Sequence, residues 1–150
     1  MLKKSIKKTD LLKRGAIYLN RIEEGFEDYK VDSMEGTEEE LYQILLSLYR
    51  KNGETNSFVD FYYYRLSESE RTEVMKVLTQ EEMTYITTLE EDKESVFYPL
   101  DETLLGITAK LTAKEILFST FYFTKEPMTV WGNYQLKYPV FRKLEDEHKE

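Results

Sequence analysis

The sequence predicts an α+β fold, in which helices over the N-terminal two thirds pack on a small C-terminal antiparallel sheet of about three to four strands. Three observations support this prediction. Capping patterns and apolar spacings of three and four residues recur as far as Leu89. After Ser95 the apolar residues come in short, aromatic-rich runs that turn residues separate. Helices that precede the strands, rather than alternating with them, are typical of α+β proteins.

The first element predicted is a helix from about Thr9 to Tyr29. Thr9 suits the N-cap position, and Asp10 places a negative charge near the helix N-terminus. A stripe at helical spacing carries the apolar side chains Leu12, Leu19, Ile22, Phe26 and Tyr29. This stripe predicts either a face packed on the core of the same chain or the seam of a homodimer formed through the first helix.

Residues Val31–Gly36 are predicted to be a linker, and the clearest helix signal follows them. Thr37 and Glu40 form a capping box, in which each side chain accepts a hydrogen bond from the other residue's free backbone N–H. The helix is predicted to end at Asn52-Gly53, because glycine tolerates the left-handed conformation common there. Its apolar face comprises Leu41, Ile44, Leu45, Leu48 and Tyr49.

Two further capping boxes, Ser67 with Glu70 and Thr79 with Glu82, predict helices over 68–78 and 80–89. Their predicted core positions are Val74, Val77, Leu78, Ile86 and Leu89. The preceding segment, 57–66, is compatible with a helix or with a strand, because it is rich in aromatic residues. We favour a helix there.

Beyond residue 95 the sequence predicts a short helix within 101–111 and strands around it. The predicted strands are Val96–Pro99, Ile116–Phe123, Met128–Trp131 and Gln135–Arg142. For Ile116–Phe123 a helix capped by Thr112 and Glu115 is the alternative. Pro139 predicts that the last strand lies at an edge of the sheet, because proline has no N–H to donate.

The length and charge favour one acidic domain over 1–150, with a flexible basic segment, 1–14, and a flexible polar tail, 145–150. The net charge is −8, although residues 1–14 hold six basic side chains against one acid. This basic segment has three candidate partners: an acidic protein, a phosphate backbone, or the acidic stretch 23–40 of the same chain. We do not expect nucleic-acid binding, because an acidic body repels phosphates.

The composition excludes several classes of catalytic and metal-binding site. The chain has no cysteine, and its one histidine, His148, lies in the polar tail. Thiol and Ser-His-Asp catalysis therefore lack their side chains, as do zinc sites built from nitrogen and sulfur ligands. The glycines match no phosphate-binding loop, and no apolar run reaches the ~18 residues of a membrane span. We assign no catalytic residue, metal ligand or cofactor, and we expect an unexported cytoplasmic protein.

The most informative feature is a concentration of aromatic residues near the C-terminus. Eight rings lie within 24 residues: Phe118, Phe121, Tyr122, Phe123, Trp131, Tyr134, Tyr138 and Phe141. Neighbouring side chains of a strand point to opposite faces, so one set can pack on the helices while the other set meets a partner. Tyr and Trp dominate binding hot spots, and we therefore predict binding residues among Tyr122, Trp131, Tyr134 and Tyr138. Packing of all these rings in the core is the alternative.

These observations favour a non-enzymatic, protein-binding or regulatory domain that acts through the aromatic sheet surface on an unknown protein partner. One alternative is a small-molecule-binding domain or an enzyme that uses carboxylates and tyrosines, which requires a pocket with converging carboxylates. The other is a nucleic-acid-associated protein that uses the basic N-terminus, for which binding would fall steeply with salt.

Overall fold

The computed structural model describes residues 2–92 and 94–144, and it confirms an α+β fold. The helices found there are α1 (Lys8–Lys13), α2 (Ile22–Asp28), α3 (Glu38–Asn52), α4 (Glu68–Val77), α5 (Gln80–Ile86) and α6 (Glu102–Ala113). The strands are β1 (Lys30–Glu35), β2 (Ser57–Asp60), β3 (Phe97–Pro99), β4 (Thr120–Phe123), β5 (Met128–Trp131) and β6 (Lys137–Arg142). They form one antiparallel sheet in the order β1-β6-β5-β4-β2-β3.

The sheet is larger than the three to four strands predicted, and it draws on the whole chain. Six strands are present in the described residues, and β1 and β2 come from the part predicted to be helical. The segregation of helices before strands is therefore wrong in detail, although both element types pack as an α+β fold.

Helices α3, α4 and α5 confirm the three capping boxes. In α3 the Thr37 Oγ1 accepts from the Glu40 N–H at 3.1 Å, and the Thr37 N–H donates to Glu40 Oε1 at 2.9 Å. Gly53 ends the helix with a φ of +89°. The predicted helix after Leu100 is also confirmed as α6, whose N-cap Asp101 accepts from the Leu104 N–H at 2.8 Å.

The main core lies between one face of the sheet and helices α3 to α6. Phe121, Phe123 and Tyr138 of the sheet pack there with Leu45 of α3 and Leu104 of α6, each at most 1% exposed. Alternation along β4 places Tyr122 on the opposite face, among residues of a separate cluster.

The predicted helix over 9–29 is wrong. Gly15 adopts a φ of +91° just after α1, and the chain then runs without regular structure to α2. Ile17 and Leu19 are buried against the second face of the sheet, whereas Leu12 and Phe26 are 46% and 54% exposed. The apolar spacing fitted a helix by coincidence, and the continuous seam required for the predicted homodimer contact is not formed.

The linker predicted over 31–36 is also wrong, because residues 30–35 form β1 and pair with β6 along their whole length. As an edge strand, β1 exposes most of its side chains and therefore lacks apolar alternation. The helix favoured over 57–66 is wrong as well. That segment begins with β2, which is buried at all four positions between β3 and β4.

The strand predicted over 116–123 is confirmed only from Thr120 onward. The edge position predicted for β6 is wrong, because β6 lies between β1 and β5. Pro139 is tolerated there because the ladder with β5 begins only at Val140, so its missing N–H removes no bond on that side. Across the described ranges, no helix combines the length and apolar character that crossing a bilayer requires.

Candidate functional site

The four aromatic residues predicted to bind a partner do not lie on one surface. Tyr122 and Tyr138 are 2% and 1% exposed and face opposite sides of the sheet. Trp131 is partly buried beside the small cluster of Ile17, Leu19 and Phe141. Tyr134 is 60% exposed, which makes it the one member of the four whose ring is open to a partner in this conformation.

The two buried tyrosines belong to the interior. The Tyr122 ring stacks on Tyr18, with centroids 6.3 Å apart, and meets Phe97 edge-on at 5.9 Å. Burial raises the pKa of Tyr122 well above its usual value. Burial also raises the pKa of Tyr138 to about 12, and its hydroxyl has no hydrogen-bond partner among the described residues.

Tyr134 is held against Phe118 by a tightly docked loop. The two ring centroids are 4.6 Å apart in an edge-to-face arrangement. The loop approaches the backbone before β4 closely at Gly132, whose N–H donates to Ser119 O at 3.0 Å. A Cβ at Gly132 would lie 2.3 Å from that same oxygen, so only glycine fits.

Strained backbone surrounds the exposed ring. Gln135 and Leu136 have φ values of 61° and 55°, in the left-handed region that non-glycine residues rarely adopt. Glu115, just after α6, has a φ of 59°, and its Oε2 accepts from the Gln135 N–H at 2.7 Å. Such conformations cost roughly 1–3 kcal/mol each and cluster at functional sites. We call Phe118, Tyr134, Gln135 and Glu115 the Tyr134 site.

Only part of the Tyr134 site could be predicted from the sequence. Tyr134 was predicted from its residue type, and the dipeptide that precedes it, Gly132-Asn133, is typical of turns. Glu115 was considered only as a helix cap, and no local pattern indicates that it lies beside Gln135, which is 20 positions away. The pairing arises because α6 and the β5–β6 connection meet at one end of the sheet.

A buried carboxyl group at the end of β2 was missed entirely. Asp60 is 6% exposed, and its Oδ1 accepts from the Thr120 N–H at 2.7 Å. Burial raises the pKa of Asp60 to about 7. The sequence signal was an aspartate within the aromatic run 58–64, a position that a helix would have placed at the surface.

Carboxylates also line a small cavity among α3, α5 and α6. The cavity has a volume of about 220 Å³, and Glu38, Glu39, Glu82 and Lys110 form its polar wall. Lys110 Nζ lies 2.7 Å from Glu82 Oε1, so this pair is internally neutralised. Small-molecule sites usually measure roughly 300–1,000 Å³, so this cavity is small for a substrate. In the described part of the chain, no group of three or more His, Cys, Asp or Glu side chains is arranged to hold a metal ion.

Among residues 2–14, which the structure describes, Lys3 pairs with an acid of its own chain that lies outside 23–40. Lys3 Nζ lies 2.8 Å from Asp101 Oδ2, and the Tyr85 hydroxyl donates to the same oxygen at 2.6 Å. The predicted flexible tail, 145–150, with His148, lies outside the described residues.

Comparison with protein-family models, curated protein sequences and solved structures gives no match.

Proposed function

We propose that this chain is a non-enzymatic, protein-binding or regulatory domain whose contact surface centres on the Tyr134 site. The observation that carries the proposal is an exposed tyrosine on a strained, closely docked loop. A tyrosine presents a large contact area with a polar tip, and its two side-chain torsions cost little entropy on binding. The packing on Phe118 holds the ring, and the bond from the Gln135 N–H to Glu115 Oε2 holds the loop that carries it, before a partner arrives, which favours affinity.

The proposed contact surface contains fewer aromatic residues than the four predicted from the sequence. Tyr134 stays in the proposal as its anchor, with the partly buried Trp131 beside the same loop. Tyr122 and Tyr138 support the fold in this conformation, since both are buried. A cytoplasmic setting belongs to the proposal, and a cysteine-free chain is compatible with it.

The test is recovery of a stoichiometric partner from cell extract by the full chain, followed by titration of that purified partner. We expect Tyr134→Ala to weaken its binding by at least about tenfold, as truncation of a tyrosine hot spot commonly does. Tyr62→Ala is the matched control, because Tyr62 is another exposed tyrosine and lies on the β2–α4 connection. Equal binding by wild type and Tyr134→Ala would refute the proposed surface.

A further inference from the structure

Residues 2–14, which we call the N-terminal strap, cover part of the second sheet face with two apolar side chains. Leu11 of α1 is fully buried, and Ile6 packs beside it. Beneath them lie Phe58, Val96 and Phe97, each at most 7% exposed. These residues form a cluster separate from the main core, so the helix-covered side of the sheet does not depend on the strap for its packing.

Polar contacts also hold the strap, among them backbone bonds from the Lys3 N–H to Thr88 O at 2.7 Å and from the Glu90 N–H to Lys3 O at 2.8 Å. The Ser5 hydroxyl shares its single proton between two carboxylates, since its Oγ lies 3.0 Å from Glu90 Oε1 and 2.8 Å from Asp92 Oδ2. Lys3 pairs with Asp101, and the Ile6 N–H donates to Phe97 O at 2.8 Å. One basic residue of the strap, Lys3, is thus paired with an acid, and a partly exposed ion pair of this kind weakens with salt.

A single glycine, Gly15, separates the strap from the segment that follows. Gly15 adopts a left-handed φ of +91°, and an added Cβ there would meet no atom within 4 Å. Beyond it the chain is anchored, because the Thr129 hydroxyl donates to Ile17 O at 2.6 Å. Helix α1 is only six residues long and has no side-chain cap, so it contributes little stability of its own.

We propose that the strap is a displaceable cover and that the face beneath it is a second docking groove, for a basic amphipathic segment of a partner protein. The groove is floored by Phe58, Val96 and Phe97 and rimmed by carboxylates. The strap itself defines the chemistry that fits, namely apolar side chains at the Ile6 and Leu11 positions among lysines. This groove is independent of the Tyr134 site, so either proposal can fail alone.

The first experiment measures opening. Because the chain has no cysteine, Val96→Cys introduces a single thiol beneath the strap, and Val130→Cys is the matched control in the main core. We expect alkylation of the Val96→Cys thiol to accelerate at about 1 M salt, where the Debye length falls to roughly 3 Å, and the Val130→Cys rate to stay unchanged. Equal rates for the two thiols would show that the strap opens only when the whole fold does, and would overturn the proposal.

The second experiment measures docking, in full chains that carry Val96→Cys. Ser5→Asp places a third carboxylate against Glu90 and Asp92, and we expect roughly tenfold faster alkylation than with the uncharged control Ser5→Ala. A synthetic peptide of residues 2–14 should then protect the thiol. A peptide with aspartate at both apolar positions, Ile6→Asp and Leu11→Asp, should not. Failure of the first peptide to protect, or equal protection by both, would overturn the docking groove.

Discussion

The two faces of the sheet are covered in different ways. Helices α3 to α6 cover one face, and all four have a capped N-terminus, with a capping box in α3, α4 and α5 and an aspartate N-cap in α6. The three capping boxes also appear in the sequence as local patterns. The other face is covered by two short helices and irregular chain, joined to the sheet by individual hydrogen bonds and ring contacts. Local signals therefore specify the first cover, whereas the second depends on contacts between distant residues.

The largest expected difference between the faces comes from matched leucine truncations. Leu104 and Leu11 are both 0% exposed, the first in the main core and the second in the strap. We expect Leu104→Ala to lower the free energy of unfolding by about 3 kcal/mol. We expect Leu11→Ala to lower it by less, because its cost cannot exceed the free energy of opening the strap. Urea denaturation measures both, and equal losses would mean that the faces unfold as one unit.

The second prediction concerns Asp60, whose side chain lies on the strap-covered face. Its pKa is raised from 3.8 to about 7 on folding, so folding favours the protonated carboxyl group. The stability that this group confers is complete below about pH 4 and is lost as the pH rises to 7. Asp60→Asn keeps an oxygen for the Thr120 N–H and carries no charge.

We therefore expect the Asp60→Asn variant to be more stable than wild type at pH 8, by a few kcal/mol at most, and the difference to shrink toward pH 4. Urea denaturation across this range provides the measurement. The wild-type protein has other carboxyl groups with lowered pKa values, such as Glu82 and Asp101, and subtracting the variant removes their common contribution. A pH-independent difference between the two proteins would contradict the assignment.

The smallest expected change in the free energy of unfolding comes from two threonines that the sequence suggests as helix N-caps, only one of which caps a helix. Thr37 caps α3, whereas Thr9, which the sequence also suggested as a cap, lies inside α1. We expect Thr37→Ala to lower the free energy of unfolding by about 1 kcal/mol and Thr9→Ala to change it by less than roughly 0.5 kcal/mol. Thermal or urea unfolding distinguishes these values, and a larger loss at Thr9 would restore the longer helix predicted for that region.

These differences between the two faces explain which elements of the fold could be predicted from the sequence. The capping boxes at Thr37, Ser67 and Thr79 identified three helices because cap and partner are three residues apart. Strand β1 was not predicted, because an edge strand with exposed side chains shows little alternation of apolar and polar residues. The aromatic residues of β4 and β6 were predicted as strand residues, but which of them face the helices depends on the register with β2 and β5.

The candidate site shows the same limit. Tyr134 could be singled out by type and by the turn beside it, whereas its support by Phe118 and Glu115 is a tertiary contact. Asp60 could not be identified as buried without knowing that β2 lies inside the sheet. The sequence therefore shows which functional groups are present, but it does not show which of them are buried or which distant residues they contact.

The two outer strands differ in a way that limits how copies of the protein can join. Ile6 bridges the outer side of β3 at Phe97, and Pro99 has no N–H to offer there. Among the described residues, none pairs with the outer side of β1. A sheet that accepts strands at both ends can polymerise without limit, whereas one with a single receptive end stops at a pair. The bridge at Ile6 therefore closes the β3 end of the sheet to a further strand for as long as the strap stays in place.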